Sequence, residues 1–513
     1  MRKTPPFAIA LPLLALFTLL ALLPPEAPAQ RHPNWEQYTT SNSDLLGNTI
    51  LATATDKAGA IWVGTNLGLC RLKGRTWTDY ALFNEKLKDQ FVNCLAIDGN
   101  NDLWVGTDDH GVMLFDGYHW KEYTDKTREL KMKFIREISI DKNDVKWIGV
   151  TLGGLVRFDG YEWYKYTQAD SKLSSDFILC VSIDRKNKKW IGTNDGLCVF
   201  NDHVWTTYTT QNSPLPHNIV PAIAVDRQGV KWIGTLAGVA RYDDQQWTVL
   251  DDRNTPLPSL QVNDLAFDKN GMLWIVTNEG LALYDGQGNW MLYSHANSPL
   301  PESGIQNIAI DSEGRKWIGT NFDGLFCYSG QGVKGRVVDA QGRGMADVAV
   351  NYGTGIARTD KNGYYHAEVA TGSTFSLQPQ AEGMASQPAE RKVQNLTTFL
   401  FGQDFEMLPA DAVAASGAGA GDAEAGDGQP QDPRQRARER VMVNPFLAEG
   451  YITLTLESPV AEVEFVGSDG RSVRTIPKYR NGARITITKM PKDNYTLNIR
   501  TAKGVKTLRF NLK

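Results

Sequence analysis

The chain has 513 residues, which allows about two to four domains. Charged residues make up 22% of it and the formal net charge is −4, without a long Lys/Arg run, so nothing in the charge balance points to nucleic acid as a partner. The five cysteines are odd in number and lie inside β-like segments, so we expect small buried residues rather than a disulfide scaffold.

The first 29 residues have the composition of a secretory signal peptide. Arg2 and Lys3 supply a positive start, residues 7–23 form an apolar run, and Ala29 places a small residue before Gln30. We therefore predict cleavage between Ala29 and Gln30, with an uncleaved anchor helix as the alternative. No later run reaches the roughly 18 apolar residues of a membrane span, so we expect no transmembrane segment in the mature chain.

Internal repetition is the strongest feature of the chain. A Trp-(Ile/Val)-Gly-Thr motif or a near variant occurs seven times at intervals of 42 or 43 residues, starting at Trp62, Trp104, Trp147, Trp190, Trp232, Trp274 and Trp317. A second tryptophan recurs with the same spacing at Trp35, Trp77, Trp120, Trp163, Trp205, Trp247 and Trp290. An aspartate also stands six residues before each tryptophan of the first series. We expect the tryptophans to pack between repeats and the aspartates to form turns.

Each repeat predicts four short β-strands. In the fifth repeat, the first strand is followed by a tight turn over 226–229 and by a second strand over 231–235. In the third repeat, a third strand covers 154–158, and the Asp-Gly pair at 159–160 predicts a two-residue hairpin into a fourth strand over 161–166. A unit of this size cannot cover both faces of its own sheet, so neighbouring units must stack.

The phase of the repeats predicts how they close into a ring. The Trp35 element precedes the first complete repeat, and the last repeat lacks a fourth-strand tryptophan. We therefore predict an all-β chain in which residues 30–332 form a seven-bladed β-propeller. Residues 34–38 should supply the outer strand of the last blade, beside 324–328.

The repeats resemble those of the two-component regulator propeller family over 34–330. Residues 226–239 show the shared pattern, with Asp-x-x-Gly followed by Trp-Ile-Gly-Thr and a further glycine. The resemblance implies a β-propeller, which in that family often forms the periplasmic sensor of a membrane-bound histidine kinase. No kinase motif follows the repeats in this chain.

Candidate binding residues lie where the repeats differ, in the loops between second and third strands. We expect these loops on one face, at the mouth of the central channel, beside the loops that enter each first strand. The candidates are Asn66, Asp108, Asp109, His110, Asn194, Asp195, Asn278, Glu279, Asn321 and Asp323. The run from Asp108 to His110 has two further interpretations, a cation or acid–base site and a solvated polar loop.

The chain contains no nucleophile elbow, His-Glu-x-x-His motif, phosphate-cradling glycine loop or Cys-x-x-Cys pair. We therefore expect no catalytic residue, no metal ligand and no cofactor. An active site gathered from different blades stays open as an alternative.

After the repeats, residues 333–408 show short alternating strands that predict a small β-sandwich. A Gly-x-Val-x-Asp-x-x-Gly opening at 335–342 and a Thr-Asp-x-x-Gly-x-Tyr hairpin at 359–365 resemble the carboxypeptidase regulatory-like domain. The resemblance implies a non-catalytic spacer or contact module. We interpret 360–363 as a hairpin turn rather than a calcium loop.

The remaining residues predict a linker and an export domain. Residues 409–440 are rich in Ala, Gly, Asp and Gln and are interpreted as a disordered linker. Residues 441–513 predict a compact β unit, whose motifs at 444–446, 469–471 and 490–491 resemble the type A C-terminal sorting domain of the type IX secretion system. The resemblance implies the type IX machinery as a partner and a location at or beyond a Gram-negative outer membrane. The alternative is an accessory sandwich on a periplasmic protein.

Three functions are compatible with this organisation. The leading hypothesis is a secreted or cell-surface binding or adhesion protein that contacts a glycan or protein ligand through the loop face of the propeller. The second is a propeller hydrolase or lyase that acts on extracellular polysaccharide. The third is a periplasmic sensor partner of a two-component system.

Overall fold

The computed structural model describes residues 32–123, 133–410 and, within 441–511, the backbone of seven strands. The predicted signal peptide at 1–29 and nearly all of the predicted linker at 409–440 lie outside the described residues. Within the described part the elements are β-strands, apart from one short 3₁₀ turn, Glu85–Leu87.

The chain divides into two compact units, Met1–Gly419 and Ala420–Lys513. No helix in the described ranges has the length and apolar character that a membrane crossing requires. All five cysteines are buried and free, in agreement with their interpretation as small buried residues.

Seven four-stranded antiparallel sheets occupy the first unit, and we number them blades 1 to 7 in the order of their first strands. Strands follow one another in chain order within each blade, except that blade 7 takes its fourth strand from the N-terminal side. The strands are Ile50–Thr55, Ile61–Thr65, Gly68–Lys73 and Thr76–Asp79 (blade 1); Val92–Ile97, Leu103–Thr107, Val112–Phe115 and Trp120–Tyr123 (blade 2); Ile135–Ile140, Lys146–Val150, Gly154–Phe158 and Trp163–Tyr166 (blade 3); Ile178–Ile183, Lys189–Thr193, Gly196–Phe200 and Trp205–Tyr208 (blade 4); Ala222–Val225, Lys231–Thr235, Gly238–Tyr242 and Trp247–Leu250 (blade 5); Val262–Phe267, Leu273–Thr277, Gly280–Tyr284 and Trp290–Tyr293 (blade 6); and Ile305–Ile310, Lys316–Thr320, Leu325–Tyr328 and Trp35–Tyr38 (blade 7).

The predicted closure of the ring is confirmed. Trp35–Tyr38 pairs antiparallel with Leu325–Tyr328, so that Trp35 lies opposite Tyr328 and Tyr38 lies opposite Leu325. The first strand of each blade contacts the first strands of both neighbouring blades, including blade 7 with blade 1. The first strands therefore form a closed ring around a central channel.

A buried aspartate organises the turn between the first and second strands. In blade 4, Asp184 accepts hydrogen bonds from the backbone N–H groups of Lys186 and Lys188, both at 2.9 Å. Its second oxygen accepts a bond from the Trp190 indole at 3.1 Å. The same indole bond occurs in the other blades except blade 6, where Trp274 Nε1 has no partner. The carboxylate therefore forms the turn, as predicted, and also fixes the tryptophan between blades.

The prediction of a two-residue hairpin between the third and fourth strands is wrong. In blade 3, Phe158 pairs with Trp163, so the connection is longer and the fourth strand begins at Trp163. Asp159 Oδ1 accepts hydrogen bonds from the N–H groups of Tyr161 and Glu162, at 3.0 and 2.8 Å. These side-chain bonds stabilise a wider turn in place of the tight Asp-Gly hairpin.

Residues 330–409 form two four-stranded sheets around one core. In spatial order, the first sheet contains Tyr364–Ala370, Gly330–Asp339, Phe405–Pro409 and Met384–Gln387, and the second contains Ile356–Arg358, Ala349–Asn351, Ser373–Gln380 and Arg391–Leu396. The predicted turn is present, because Asp360 Oδ1 accepts hydrogen bonds from the N–H groups of Asn362 and Tyr364. The family assignment of this two-sheet segment stays a prediction.

The two-sheet segment packs against blades 6 and 7. The ring of Phe399 lies 5.6 Å from that of Trp274 and 5.1 Å from the ammonium group of Lys316. Lys334 Nζ donates to the Trp290 carbonyl at 2.7 Å. In blades 3, 4 and 5 the equivalent buried lysine forms an ion pair with an aspartate. In blade 7 the Phe399 ring covers the lysine instead, which fixes the segment to the side of the propeller.

The second unit contains two sheets within its described strands. Val441–Asn444, Ile452–Leu456 and Arg484–Ile487 form one, in that spatial order. Ser472–Tyr479, Val460–Val466, Asn494–Thr501 and Gly504–Asn511 form the other. All seven described elements of this unit are β-strands, in line with the predicted β unit at 441–513, while its identity as a sorting domain stays a prediction.

Candidate functional site

The loops between second and third strands and the loops that enter the first strands meet on one side of the propeller, which we call the loop face. Backbone hydrogen bonds join the two sets all around the ring. The Asn66 N–H donates to the Thr49 carbonyl at 3.2 Å, and the Asn321 N–H donates to the Gly304 carbonyl at 2.8 Å. The turns at the other ends of the strands lie on the opposite face.

Several predicted site residues accept hydrogen bonds at the loop face. Asp108 Oδ1 accepts a hydrogen bond from the Asn93 amide at 2.5 Å. Asp195 Oδ1 accepts one from the Asn218 amide at 3.1 Å, and Asn278 Oδ1 accepts one from the Gly304 N–H at 3.2 Å. These groups help to shape the loops. The side-chain oxygen of Asn66 is buried without a partner.

Most of the other predicted residues are open to solvent, as Asp195 also is. Asn194, Glu279 and Asp323 are exposed, and exposed Asp109 forms an ion pair with Lys133 at 3.6 Å. His110 is half-buried, and its backbone N–H donates to Thr107 Oγ1. Among the described residues no group of three or more His, Cys, Asp or Glu side chains could hold a metal ion.

Sequence reasoning missed a set of large apolar side chains on the loop face. They are between 43% and 79% exposed: Leu67, Leu82, Phe83, Phe91, Phe134, Leu152 and Phe322. Tyr118, Tyr161 and Val204 are also exposed, in turns on the opposite face, but the loop-face set is larger and spans adjoining loops, as a contact surface does. Their polar sequence neighbours gave no periodic signal that could have singled them out.

Two of these residues also have strained backbone. Phe134 and Leu152 have φ angles of 56° and 57°, and the other non-glycine residues with positive φ in the described ranges are all Asp or Asn. Left-handed backbone costs a bulky residue about 1–3 kcal/mol. The two positions adjoin, because the Thr151 N–H donates to the Phe134 carbonyl at 3.0 Å. The Phe134 N–H in turn donates to the Asp108 carbonyl at 2.7 Å.

Two carboxyl groups that sequence reasoning missed lie on the ring of first strands. Glu137 in blade 3 and Asp264 in blade 6 occupy the same repeat position, ten residues before the motif tryptophan, where the other blades have Ala52, Cys94, Cys180, Ala222 and Asn307. Aligning the repeats at this position would have revealed them. Both side chains are only partly exposed, because protein surrounds the channel.

The enclosure of these carboxyl groups changes their protonation. Burial, followed by the negative charge of Asp264, raises the pKa of Glu137 to about 8. Burial raises the pKa of Asp264 to about 6, although the N–H groups of Ile308 and Leu265 donate to it and oppose the rise. Because blades 3 and 6 stand on opposite sides of the ring, the two carboxyl groups interact across the channel.

This interaction predicts a pH-dependent stability. A carboxyl group whose pKa is higher in the folded than in the unfolded chain loses its stabilising contribution as pH rises from its unfolded pKa towards its folded one. For Glu137 that window runs from its usual value near 4.5 to about 8. We therefore expect Glu137→Gln to melt increasingly above the wild type as pH rises through this window, measured by calorimetry. Asp264→Asn should end the decline due to Glu137 at a lower pH, because it removes a negative charge that raises the folded pKa. Parallel curves for Glu137→Gln and wild type would contradict the assignment.

Comparisons with known proteins support the repeat architecture. Residues 86–109 and 256–279, in blades 2 and 6 and the loops before them, match the family model described as two component regulator propeller. No curated protein matches the chain.

Among solved structures, the extracellular domain of BT3049 from B. thetaiotaomicron, described as a hybrid two component system, is 16% identical with a TM-score of 0.53. The match covers 93% of this chain and 57% of that one, so the chain spans little more than half of its relative. PorZ, a surface component of the type-IX secretion system of Porphyromonas gingivalis, is 15% identical with a TM-score of 0.48, over 90% of this chain and 59% of PorZ. At 16% identity, the similarity to the BT3049 domain shows the propeller fold alone.

Proposed function

We propose that this chain is an extracytoplasmic binding protein whose ligand contacts the loop face of the propeller. The observation that supports it is the pair of exposed apolar residues, Phe134 and Leu152, held in left-handed backbone on that face. Strain of this kind persists where surrounding structure imposes it, and it gathers at binding sites. Asparagine tolerates the same backbone better, so the backbone conformation does not account for Phe or Leu at these positions.

The proposal includes a route to the cell surface. The predicted signal peptide ending at Ala29 would bring the chain to the periplasm. The predicted sorting domain at 441–513 would then engage the type IX machinery for passage across the outer membrane. The test is fractionation of the producing cell with mass spectrometry of both termini. A mature protein retained in the periplasm with an intact tail would support the sensor-partner alternative instead.

The binding proposal predicts a variant that loses ligand affinity without losing stability. We expect Phe134→Asn/Leu152→Asn to keep or raise the melting temperature, because asparagine tolerates positive φ. Its ligand affinity should fall at least about tenfold through the loss of exposed apolar contacts. The measurement is binding of the full mature chain to an array of glycans and envelope proteins.

The matched control is Tyr161→Asn, which removes a side chain that is 93% exposed from the opposite face of blade 3. This control should bind like the wild type. Equal binding by the wild type and the double variant, with Tyr161→Asn as the weaker binder, would place the contact on the wrong face and contradict the proposal.

A second candidate function, a hydrolase or lyase on polysaccharide, is favoured by the channel carboxyl groups. Acid–base cleavage of a glycosidic bond requires two carboxyl groups whose pKa values differ, one as the acid and one as the base. Glu137, with the higher pKa, would be the acid and Asp264 the base. Turnover of an extracellular polysaccharide that disappears in Glu137→Gln would favour this function over binding alone.

A further inference from the structure

The loops between second and third strands combine negative charge with exposed apolar groups. They carry five carboxylates and neither Lys nor Arg: Asp108, Asp109, Asp195, Glu279 and Asp323. Within the described residues, only Asp109 among them forms an ion pair, with Lys133. These loops, which form the rim of the channel mouth, are therefore acidic, and four of their five carboxylates have no ion-pair partner within the described residues.

Apolar side chains project from these same loops. Leu67, Leu152 and Phe322 are 43%, 79% and 79% exposed, and each belongs to a loop between second and third strands. Phe91 and Phe134 lie in the adjoining entry loops and are about half exposed. The mouth thus offers apolar contacts interspersed with carboxylates around a ring.

From this charge complementarity, and resting on the proposed function, we propose that the ligand of the loop face is a polypeptide segment that combines Lys or Arg with aliphatic or aromatic side chains. The cations would meet the five rim carboxylates, and the apolar side chains would cover the exposed Leu and Phe residues. Charge pairs across a rim set the association rate and salt dependence, while apolar burial supplies affinity.

Glycans fit this surface less well. A sugar ring stacks on a flat aromatic face, which Phe322 provides, whereas Leu67 and Leu152 are branched aliphatic groups that provide none. A phosphorylated or uronic-acid polymer would place like charge against the carboxylates, which is unfavourable at short range. A neutral polysaccharide offers these carboxylates hydroxyl donors but no positive charge. The polypeptide is the ligand class that uses both features.

The experiment measures binding of a fluorescent peptide that alternates lysine and leucine to the full mature chain. Peptides with glutamate or serine in place of lysine serve as comparisons. We expect the lysine peptide to bind at least about tenfold more tightly than either. The preference should shrink between about 20 and about 200 mM salt, because exposed charges are screened.

A charge-neutralised variant identifies the surface. Asp195→Asn/Glu279→Gln/Asp323→Asn should weaken binding of the lysine peptide about tenfold and flatten its salt dependence. The matched control, Glu162→Gln/Glu313→Gln/Glu382→Gln, removes the same charge from exposed positions away from the loop face and should bind like the wild type.

Two results would overturn this inference. Equal affinity for the lysine, serine and glutamate peptides would show that the ligand's charge is not recognised. Equal weakening by both triple variants would show that the peptide does not bind specifically at the loop face. If a glycan then bound in a manner sensitive to Phe134→Asn/Leu152→Asn, the loop-face function would stand with a different ligand. If no probe responded to that double variant, the proposed function would fall as well.

Discussion

Replacing Trp35 with alanine is expected to lower the free energy of unfolding by about 3–5 kcal/mol, as for other buried tryptophans. The side chain is 8% exposed and belongs to the strand that completes blade 7. Its ring lies 4.6 Å from that of Tyr328 and 5.8 Å from that of Tyr293. The substitution therefore opens a cavity at the seam, where the N-terminal strand Trp35–Tyr38 completes blade 7. Urea unfolding followed by circular dichroism measures the loss.

The control for this variant is Trp205→Ala, at the equivalent position of blade 4. Trp205 is half-buried and stacks on Phe200 of its own blade at 4.3 Å, so its loss should cost less. A direct test of the seam uses Glu36→Cys, because Glu36 lies opposite the native Cys327 in the strand pair. Oxidation should link the two positions, as detected by mass spectrometry. A Trp35→Ala variant as stable as the wild type, together with an absent link, would contradict the closure.

Asp184→Ala should destabilise the chain by about 3 kcal/mol. The substitution leaves the N–H groups of Lys186 and Lys188 and the buried Trp190 indole without their common acceptor. Each buried donor without a partner costs about 1–3 kcal/mol, and part of this is recovered where water reaches the turn. Urea unfolding again provides the measurement.

Blade 5 supplies the matched control, Asp226→Ala. Asp226 is half-buried and its bond to the Trp232 indole is longer, at 3.5 Å, while its two backbone bonds are the same length as those of Asp184. We expect its substitution to cost about 1 kcal/mol less than that of Asp184. If both variants unfolded at the same urea concentration as the wild type, the hydrogen bonds of this aspartate would not contribute to stability, contrary to the prediction.

The blades could be predicted from the sequence because the residues that recur with the repeat are the ones that are buried. The Trp-(Ile/Val)-Gly-Thr strand is buried in blade after blade, so every repeat carries the same signal. The phase of Trp35 relative to Trp62 identifies the closing strand from the sequence alone. The turn after Phe158 was mispredicted because the hydrogen bonds that the Asp159 side chain accepts favour a wider connection than the Asp-Gly pair implies.

The candidate site could be predicted only in part. The loop face followed from strand order, and its polar residues followed from differences between repeats. The exposure of Phe134 and Leu152 depends on how neighbouring loops meet in space, and their positive φ is invisible in sequence. The covering of Lys316 by Phe399 likewise joins residues from different parts of the chain, which no local pattern encodes.

Hydrogen exchange of the full mature chain, with and without the tightest binder from the glycan and peptide screens, tests the central claim most directly. The loop-face account predicts protection of the loops at 107–111, 150–154 and 320–324. The turns at 116–119 and 159–162, on the opposite face, should exchange at unchanged rates. Protection confined to those turns would contradict the account.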